Sequence, residues 1–244
     1  SDVCSSDLKY EHMMVFAAAL PGIRARIAAD MKKPGLPREK VLATVVHLLE
    51  TTLIRVGNDD YARSNKSYGL TTLNKRHLDV DGAAMTFEFK GKSGVEHKVS
   101  VRDRRLARVV RALEELPGQQ LFKYRTADGT LCPITSDDVN AYIREAMGEG
   151  FSAKDFRTWA GTVSAARAFR DMDPPTSQTD GRRKITVCMK AVAGLLGNTP
   201  TVCRSSYVHP VVVDLYESGR IAEVLPGSET KGFEPALMKL LKAQ

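Results

Sequence analysis

Apolar residues recur at helical spacing over most of the 244-residue chain, and only one stretch alternates with the period of a strand. YEHMMVFAAALPGIRARIAADM, from Tyr10, reads as a helix interrupted or kinked around Pro21 and Gly22. KKPGLPREK is a turn, after which the apolar positions from Val41 to Ile54 predict a long helix closed by Arg55 and ended by Gly57 as C-cap. From Tyr68 the period shortens, and YGLTTL, HLDVDG and MTFEFKGKSGVEHKVSV are strand-like runs. The last predicts a hairpin, with Phe87 and Phe89 on one side, Val95, Val99 and Val101 on the other, and Lys92 at a glycine-rich tip.

The second half returns to the helical period. RDRRLARVVRALEEL is amphipathic, ITSDDVNAYIREAM opens with Thr135 and Asp138 at capping-box spacing, and FSAKDFRTWAGTVSAARAF opens likewise with Ser152 and Asp155. RDMDPPTSQTDGRRK is a flexible polar connection before the helix ITVCMKAVAGLLG. TPTVCRSSYVHPVVVDLYESG reads as one further helix, with Thr199 as N-cap, Pro200 at its first position and Tyr207 near its middle. EPALMKLLKA is a short final helix. There is no internal repeat. The expected fold class is α+β, a predominantly helical body carrying a small antiparallel sheet or hairpin over about 68–101.

Composition narrows the function classes. The hydrophobic fraction of 43% and charged fraction of 27% are ordinary for a globular chain, long enough for one large domain or two small ones. No apolar run approaches the roughly 18 residues that span a bilayer, so no membrane partner is expected. The opening SDVCSSDLKY has neither an initiator methionine nor the charged-then-apolar order of a secretory leader, and residues 1–8 are read as an unstructured tail or artefact. The formal charge of +7 favours a polyanionic partner. Cys4, Cys132, Cys188 and Cys203 are widely spaced, which points to reduced thiols inside the cell rather than a disulfide framework or zinc site. No HExxH, no complete phosphate loop around Gly91–Gly94 and no GxSxG elbow occurs, so no metal or cofactor is expected.

What remains is a scattered set of cations, each with a plain reading of its own. Arg55 would complement a helix dipole, Lys92 would be a solvated hairpin residue, Arg157 would pair with Asp155 or Glu145, and Asn198 would cap the preceding helix. Tyr207 has six rivals, of which Tyr216 shares its helical stretch. His209 reads as a surface or DNA-backbone residue.

Taken in order, TTLIRVGNDDYARSNKSYGLTTL, FKGKSGVEH, AKDFRTWAGT and LGNTPTVCRSSYVHP resemble the motifs of type IB DNA topoisomerases of the compact bacterial and poxvirus kind. The resemblance runs from about Lys9 to the end, and implies that 9–244 is the catalytic domain, without the small N-terminal domain that clamps the duplex. It implies that Arg55, Lys92, Arg157, Asn198 and Tyr207 form the catalytic set, assisted by Lys154. Tyr61, Arg104, Arg108 and Arg204 are expected to contact DNA. The implied activity is that of an isomerase that relaxes supercoiled double-stranded DNA through a 3′-phosphotyrosine, as a monomer in the cytoplasm or at the nucleoid.

The chemistry is intelligible from the side chains. Attack by a phenol on a phosphodiester gathers charge on the non-bridging oxygens, where two planar guanidinium forks fit; each such donor is worth about 3 kcal/mol or more in a transition state. A tyrosine of ordinary pKa costs roughly 4 kcal/mol to ionise at pH 7, and nearby cations offset that cost. A lysine on a hairpin tip suits the general acid that protonates the leaving 5′ oxygen.

Two departures and two competitors complete the picture. Many viral and eukaryotic members carry histidine where this chain has Asn198, and an amide adds no titration there. Tyrosine recombinases share the nucleophile and cations, but usually place a histidine where KDFRTW has Lys154, three positions before Arg157. The remaining alternative is a noncatalytic DNA-binding module.

Overall fold

The computed structural model describes residues 2–243, and side chains from Leu8 onward. In chain order the helices and strands are α1 (Asp2–Asp30), α2 (Arg38–Thr52), α3 (Asp59–Asn65), β1 (Leu78–Asp81), β2 (Ala84–Lys90), β3 (Glu96–Arg102), α4 (Arg104–Glu114), β4 (Lys123–Arg125), β5 (Leu131–Pro133) and α5 (Ser136–Met147). There follow α6 (Ala153–Asp171), α7 (Gln178–Leu196), α8 (Pro200–Ser206), α9 (Pro210–Glu217), α10 (Ile221–Val224) and α11 (Phe233–Lys242). This is the α+β class the periodicity predicts. The chain divides into two compact units, one of residues 20–154 and one of residues 1–19 with 155–244.

In the unit of residues 20–154, α2 is the central helix. Val41, Leu42, Ala43, Val45, Val46, Leu48 and Leu49 are all buried, so it is apolar nearly all round and is covered by α4, α5, β3 and β4. β1, β2 and β3 form an antiparallel sheet in that order, with Phe87 opposite Val99 and Phe89 opposite His97. Met85, Phe87 and Phe89 point to the core while Thr86, Glu88 and Lys90 do not, the alternation expected of a sheet with one wet face. A second hairpin, β4–β5, has strands too short to show an alternation in the sequence. Thr135 caps α5 with Asp138 in a reciprocal capping box, as its spacing predicts.

In the other unit, α7 packs on α8 and α9, and Ile185, Cys188, Met189, Val192, Ala193 and Leu196 form its buried face. Phe169 stacks on the fully buried Tyr216, ring centroids 4.4 Å apart.

Several expectations are corrected. Residues 2–8 are helical and begin α1, because nothing from Asp2 to Leu20 is proline or glycine. α1 is not interrupted at Pro21, which lies inside the helix. YGLTTL is no strand: Leu70–Thr72 is a single 3-10 turn, as is Lys75–His77. The polar connection shrinks to 172–177, since Ser177 caps α7 by accepting from the Asp180 N–H and so starts the helix seven residues before Ile185.

Candidate active site

Arg55 does not close a helix. Leu53 adopts a left-handed conformation (φ 58°) and ends α2 at Thr52, ahead of the expected C-cap Gly57. Arg55 therefore lies on a non-helical link, three residues past the end of α2. The link is pinned along its carbonyl run: Leu70 N–H donates to the Arg55 carbonyl at 2.9 Å, and the Thr71 N–H and hydroxyl donate to the Val56 carbonyl at 2.8 and 2.9 Å. Gly69 is essential to this closeness, because a Cβ there would stand 2.5 Å from the Gly57 backbone and 2.6 Å from the Arg55 carbonyl.

Asn58 then caps α3, accepting from the Asp60 and Tyr61 N–H groups, and α3 presents Tyr61 with 55% of its surface exposed. Lys92 is exposed at the tip of β2–β3, where Ser93 takes the left-handed region (φ 61°). Tyr68 ties the hairpin to the Arg55 link by donating its N–H to the Lys90 carbonyl at 2.8 Å. Arg55, Asn58, Tyr61, Ser67, Tyr68 and Lys92 consequently line one cleft of about 230 Å³. Two of the predicted catalytic cations and the predicted DNA-contacting tyrosine share it. Arg104 and Arg108 lie exposed on α4, and Lys154, also exposed, sits in the first turn of α6.

The other unit holds Arg157, Asn198 and Tyr207. Arg157, only 5% exposed, donates to the Leu196 carbonyl at 2.5 Å. That carbonyl belongs to the last turn of α7, whose groups lack helical partners and carry the negative end of the dipole. Of the two carboxylates considered for Arg157, Asp155 lies 3.1 Å from His12 and Glu145 lies 2.8 Å from Arg26. Gly197, in the left-handed region, takes the C-cap position, and the Asn198 N–H returns to the Ala193 carbonyl at 3.0 Å, so Asn198 leaves the helix just past the carbonyl that holds Arg157.

Tyr207 is not inside a helix either. Pro210 starts α9 afresh, and Tyr207 is the half-buried C-cap of α8 (φ −128°), in a three-residue break. One turn beyond Arg157 along α6, Gly161 and Thr162 receive it. A Cβ on Gly161 would lie 2.8 Å from the Tyr207 carbonyl oxygen and 2.9 Å from its Cβ. The Thr162 hydroxyl donates to the same carbonyl at 3.0 Å and accepts from the His209 N–H at 3.1 Å. The Arg157 charge is felt on α8 as well: burial pushes the Cys203 thiol up, and the guanidinium pulls it part of the way back. α6 thus links the neighbourhoods of all three residues.

Tyr216 is withdrawn from competition, being fully buried with its hydroxyl donating to the Asp173 carbonyl at 2.9 Å. His209 is corrected from a surface residue to a buried one, 9% exposed. It caps α9 by accepting from the Val211 N–H, and burial lowers its pKa to about 4. Arg204 is exposed on α8 and lines a separate cleft of about 710 Å³ with Arg182 and Glu217. Sequence reasoning misses Gly161 and Thr162, although they lie within the quoted AKDFRTWAGT motif and directly follow its arginine turn. Among the described residues no cluster of His, Cys, Asp and Glu could hold a metal ion, and no helix is long and apolar enough to cross a membrane.

One unit carries the buried Arg157 and the break that holds Tyr207, and the other lines a cleft with Arg55 and Lys92. The chain belongs to the DNA topoisomerase I family: residues 4–223 match the family described as eukaryotic DNA topoisomerase I, catalytic core. It is similar to DNA topoisomerase 1B of Acanthamoeba polyphaga mimivirus, 29% identical over 218 residues that cover 86% of this chain and 65% of the viral protein. DNA topoisomerase I of Monkeypox virus and DNA topoisomerase 1B of Vaccinia virus (strain Copenhagen) are each 23% identical over 206 residues, covering 83% of this chain and 62% of theirs. The chain therefore spans somewhat under two thirds of the length of these viral relatives.

Proposed function

We propose that residues 9–244 are the catalytic portion of a type IB topoisomerase that relaxes double-stranded DNA. The observation that carries the reading is the placement of Tyr207 in a chain break received by α6, the helix that also bears the buried Arg157. In this reading Arg55 and Lys92 act on the same phosphodiester as Arg157, Asn198 and Tyr207.

The Tyr207 oxygen attacks phosphorus, its proton passes to solvent water, and the bond from phosphorus to the 5′ oxygen breaks. Arg55 and Arg157 present N–H pairs to the non-bridging oxygens as charge accumulates there. Asn198 adds a neutral donor. Lys92 gives its proton to the departing 5′ oxygen and Lys154 assists it. The new 3′-phosphotyrosine conserves the energy of the broken linkage, so strand rotation and religation need no ATP; the 5′ hydroxyl attacks in turn and Tyr207 leaves. Tyr61, Arg104, Arg108 and Arg204 hold the duplex, and the working unit is a monomer acting on DNA inside the cell.

The test is a single-turnover reaction with a nicked suicide duplex, resolved on a denaturing gel. The wild-type chain yields a covalent protein–DNA adduct and Tyr207→Phe yields none. Adduct formation by Tyr207→Phe would move the nucleophile elsewhere, and a wild-type chain that binds the duplex without reacting would leave only the binding module. Plasmid relaxation without exchange between two sites separates the topoisomerase from a recombinase.

A further inference from the structure

We propose that Lys9 and Tyr10, on α1, are positioning residues that give the Tyr207 segment a second brace beside that of α6; the inference rests on the function proposed above. The stretch from Tyr207 to His209 joins two short helices; its Tyr207 and Val208 N–H groups donate to the Cys203 carbonyl, while the Tyr207 and Val208 carbonyls take side-chain donors. Thr162 holds the Tyr207 carbonyl and the His209 N–H. The neighbouring carbonyls are held from α1. Lys9 Nζ donates to the Ser205 carbonyl at 3.1 Å, and the Tyr10 hydroxyl donates to the Val208 carbonyl at 3.3 Å. The Tyr10 ring lies tilted against the His209 ring, centroids 4.4 Å apart, and burial raises the Tyr10 pKa, which keeps its hydroxyl a neutral donor.

The brace is itself anchored. His12 contacts Asp155 at 3.1 Å, and Phe16 meets Phe156 edge-on at 5.0 Å, so this part of α1 is fixed to the start of α6. Ser205, Tyr207, Val208 and His209 are therefore each held by a side chain, two of the holders coming from the first ten residues of the chain. The bonds from Lys9 and Tyr10 end on backbone carbonyls rather than on the reacting groups. Their effect is exerted through the direction in which the Tyr207 side chain leaves the backbone, and rate is sensitive to such placement.

The full 244-residue chain is compared with Tyr10→Phe, Tyr10→Ala, Lys9→Ala and Lys9→Arg. The readouts are cleavage of a suicide duplex at saturating protein, equilibrium binding of the same duplex, and the thermal midpoint. Loss of one neutral hydrogen bond from Tyr10→Phe slows cleavage about three- to tenfold while DNA affinity stays within about twofold. Tyr10→Ala is slower still, Lys9→Ala is slowed similarly, and Lys9→Arg restores the rate. Should Tyr10→Ala fail to fold, Tyr10→Phe, which keeps the packed ring, decides. Folded Tyr10→Phe and Lys9→Ala proteins that cleave at the wild-type rate overturn the brace, as does a loss confined to DNA affinity. If the wild-type chain forms no adduct, the proposed function falls and the brace with it; if it does and the variants match it, the brace alone falls.

Discussion

Replacing Gly161 with alanine separates the placement of Tyr207, the proposed nucleophile, from the stability of the fold. The new methyl carbon would stand 2.8 Å from the Tyr207 carbonyl oxygen and 2.9 Å from the Tyr207 Cβ. To reach the 3.4 Å of ordinary contact, the first of these must open by about 0.6 Å. The third neighbour, Leu196 Cδ1 at 3.3 Å, is a side-chain end and yields readily, so the displacement falls on Tyr207. Alanine gains about 1 kcal/mol of helix propensity over glycine in a helix interior, whereas overpacking costs about 1–3 kcal/mol. Net stability therefore drops by no more than about 2 kcal/mol, and the protein remains folded. Catalysis has no such offset. A 1 Å misplacement can cost about a hundredfold, so a shift somewhat over half as large should slow adduct formation at least about tenfold. The assay is single-turnover cleavage at saturating protein, with DNA affinity and thermal midpoint measured on the same samples. A folded Gly161→Ala protein that cleaves within about twofold of wild type would refute the claim that this contact sets the position of Tyr207.

Three further outcomes follow from the same geometry. Gly69→Ala would force a carbon to within 2.5 Å of the Gly57 backbone, with no side chain able to yield, so it should destabilise the Arg55 link and lower the urea midpoint more than Gly161→Ala does; an unchanged midpoint would contradict the packing described. His209 titrates near 4 when folded and near 6.5 when unfolded, so between those values the unfolded chain binds a proton that the folded one does not. Its contribution is complete above pH 6.5 and is lost on acidification to pH 4, about 3 kcal/mol in all; His209→Asn, which keeps a capping acceptor without a titrating ring, should flatten that part of a stability–pH curve. Removing Arg104 and Arg108 together should weaken binding to any DNA sequence and lower the salt slope by about 0.9 for each phosphate that is no longer neutralised; an unchanged slope would remove α4 from the DNA-binding surface.

The legible parts of the fold are those written in local chemistry. The hairpin carrying Lys92 follows from its alternation and glycine-rich tip, and α5 from its capping box. The ends of elements near the site are harder to read. Leu53 is an unusual residue for a left-handed helix end, and Gly57, the conventional choice, is instead used for close approach to Gly69. Pro200 and Pro210 both sit at first helical positions, but only Pro200 follows an obvious capping residue, so the break that frees Tyr207 is hidden inside one apparent helix. Burial of His209 depends on Tyr10, some 199 positions away in the chain, and no local pattern carries that information. The order of the motifs points to the side chains proposed to react, whereas Gly161 and Thr162 stand out only through their packing against Tyr207.

In the proposed reaction, the interior position of Arg157 has a consequence for how the protein would meet DNA. A guanidinium held against the Leu196 carbonyl has already shed most of its hydration shell during folding. In that reaction an incoming phosphate would not need to strip water from it, and little reorientation of dipoles would be left for the moment of bond exchange. A lysine at the same position would bring a single, more tightly hydrated ammonium in place of a planar guanidinium. The positive potential at this point is thus a permanent property of the folded chain, present whether or not nucleic acid is bound.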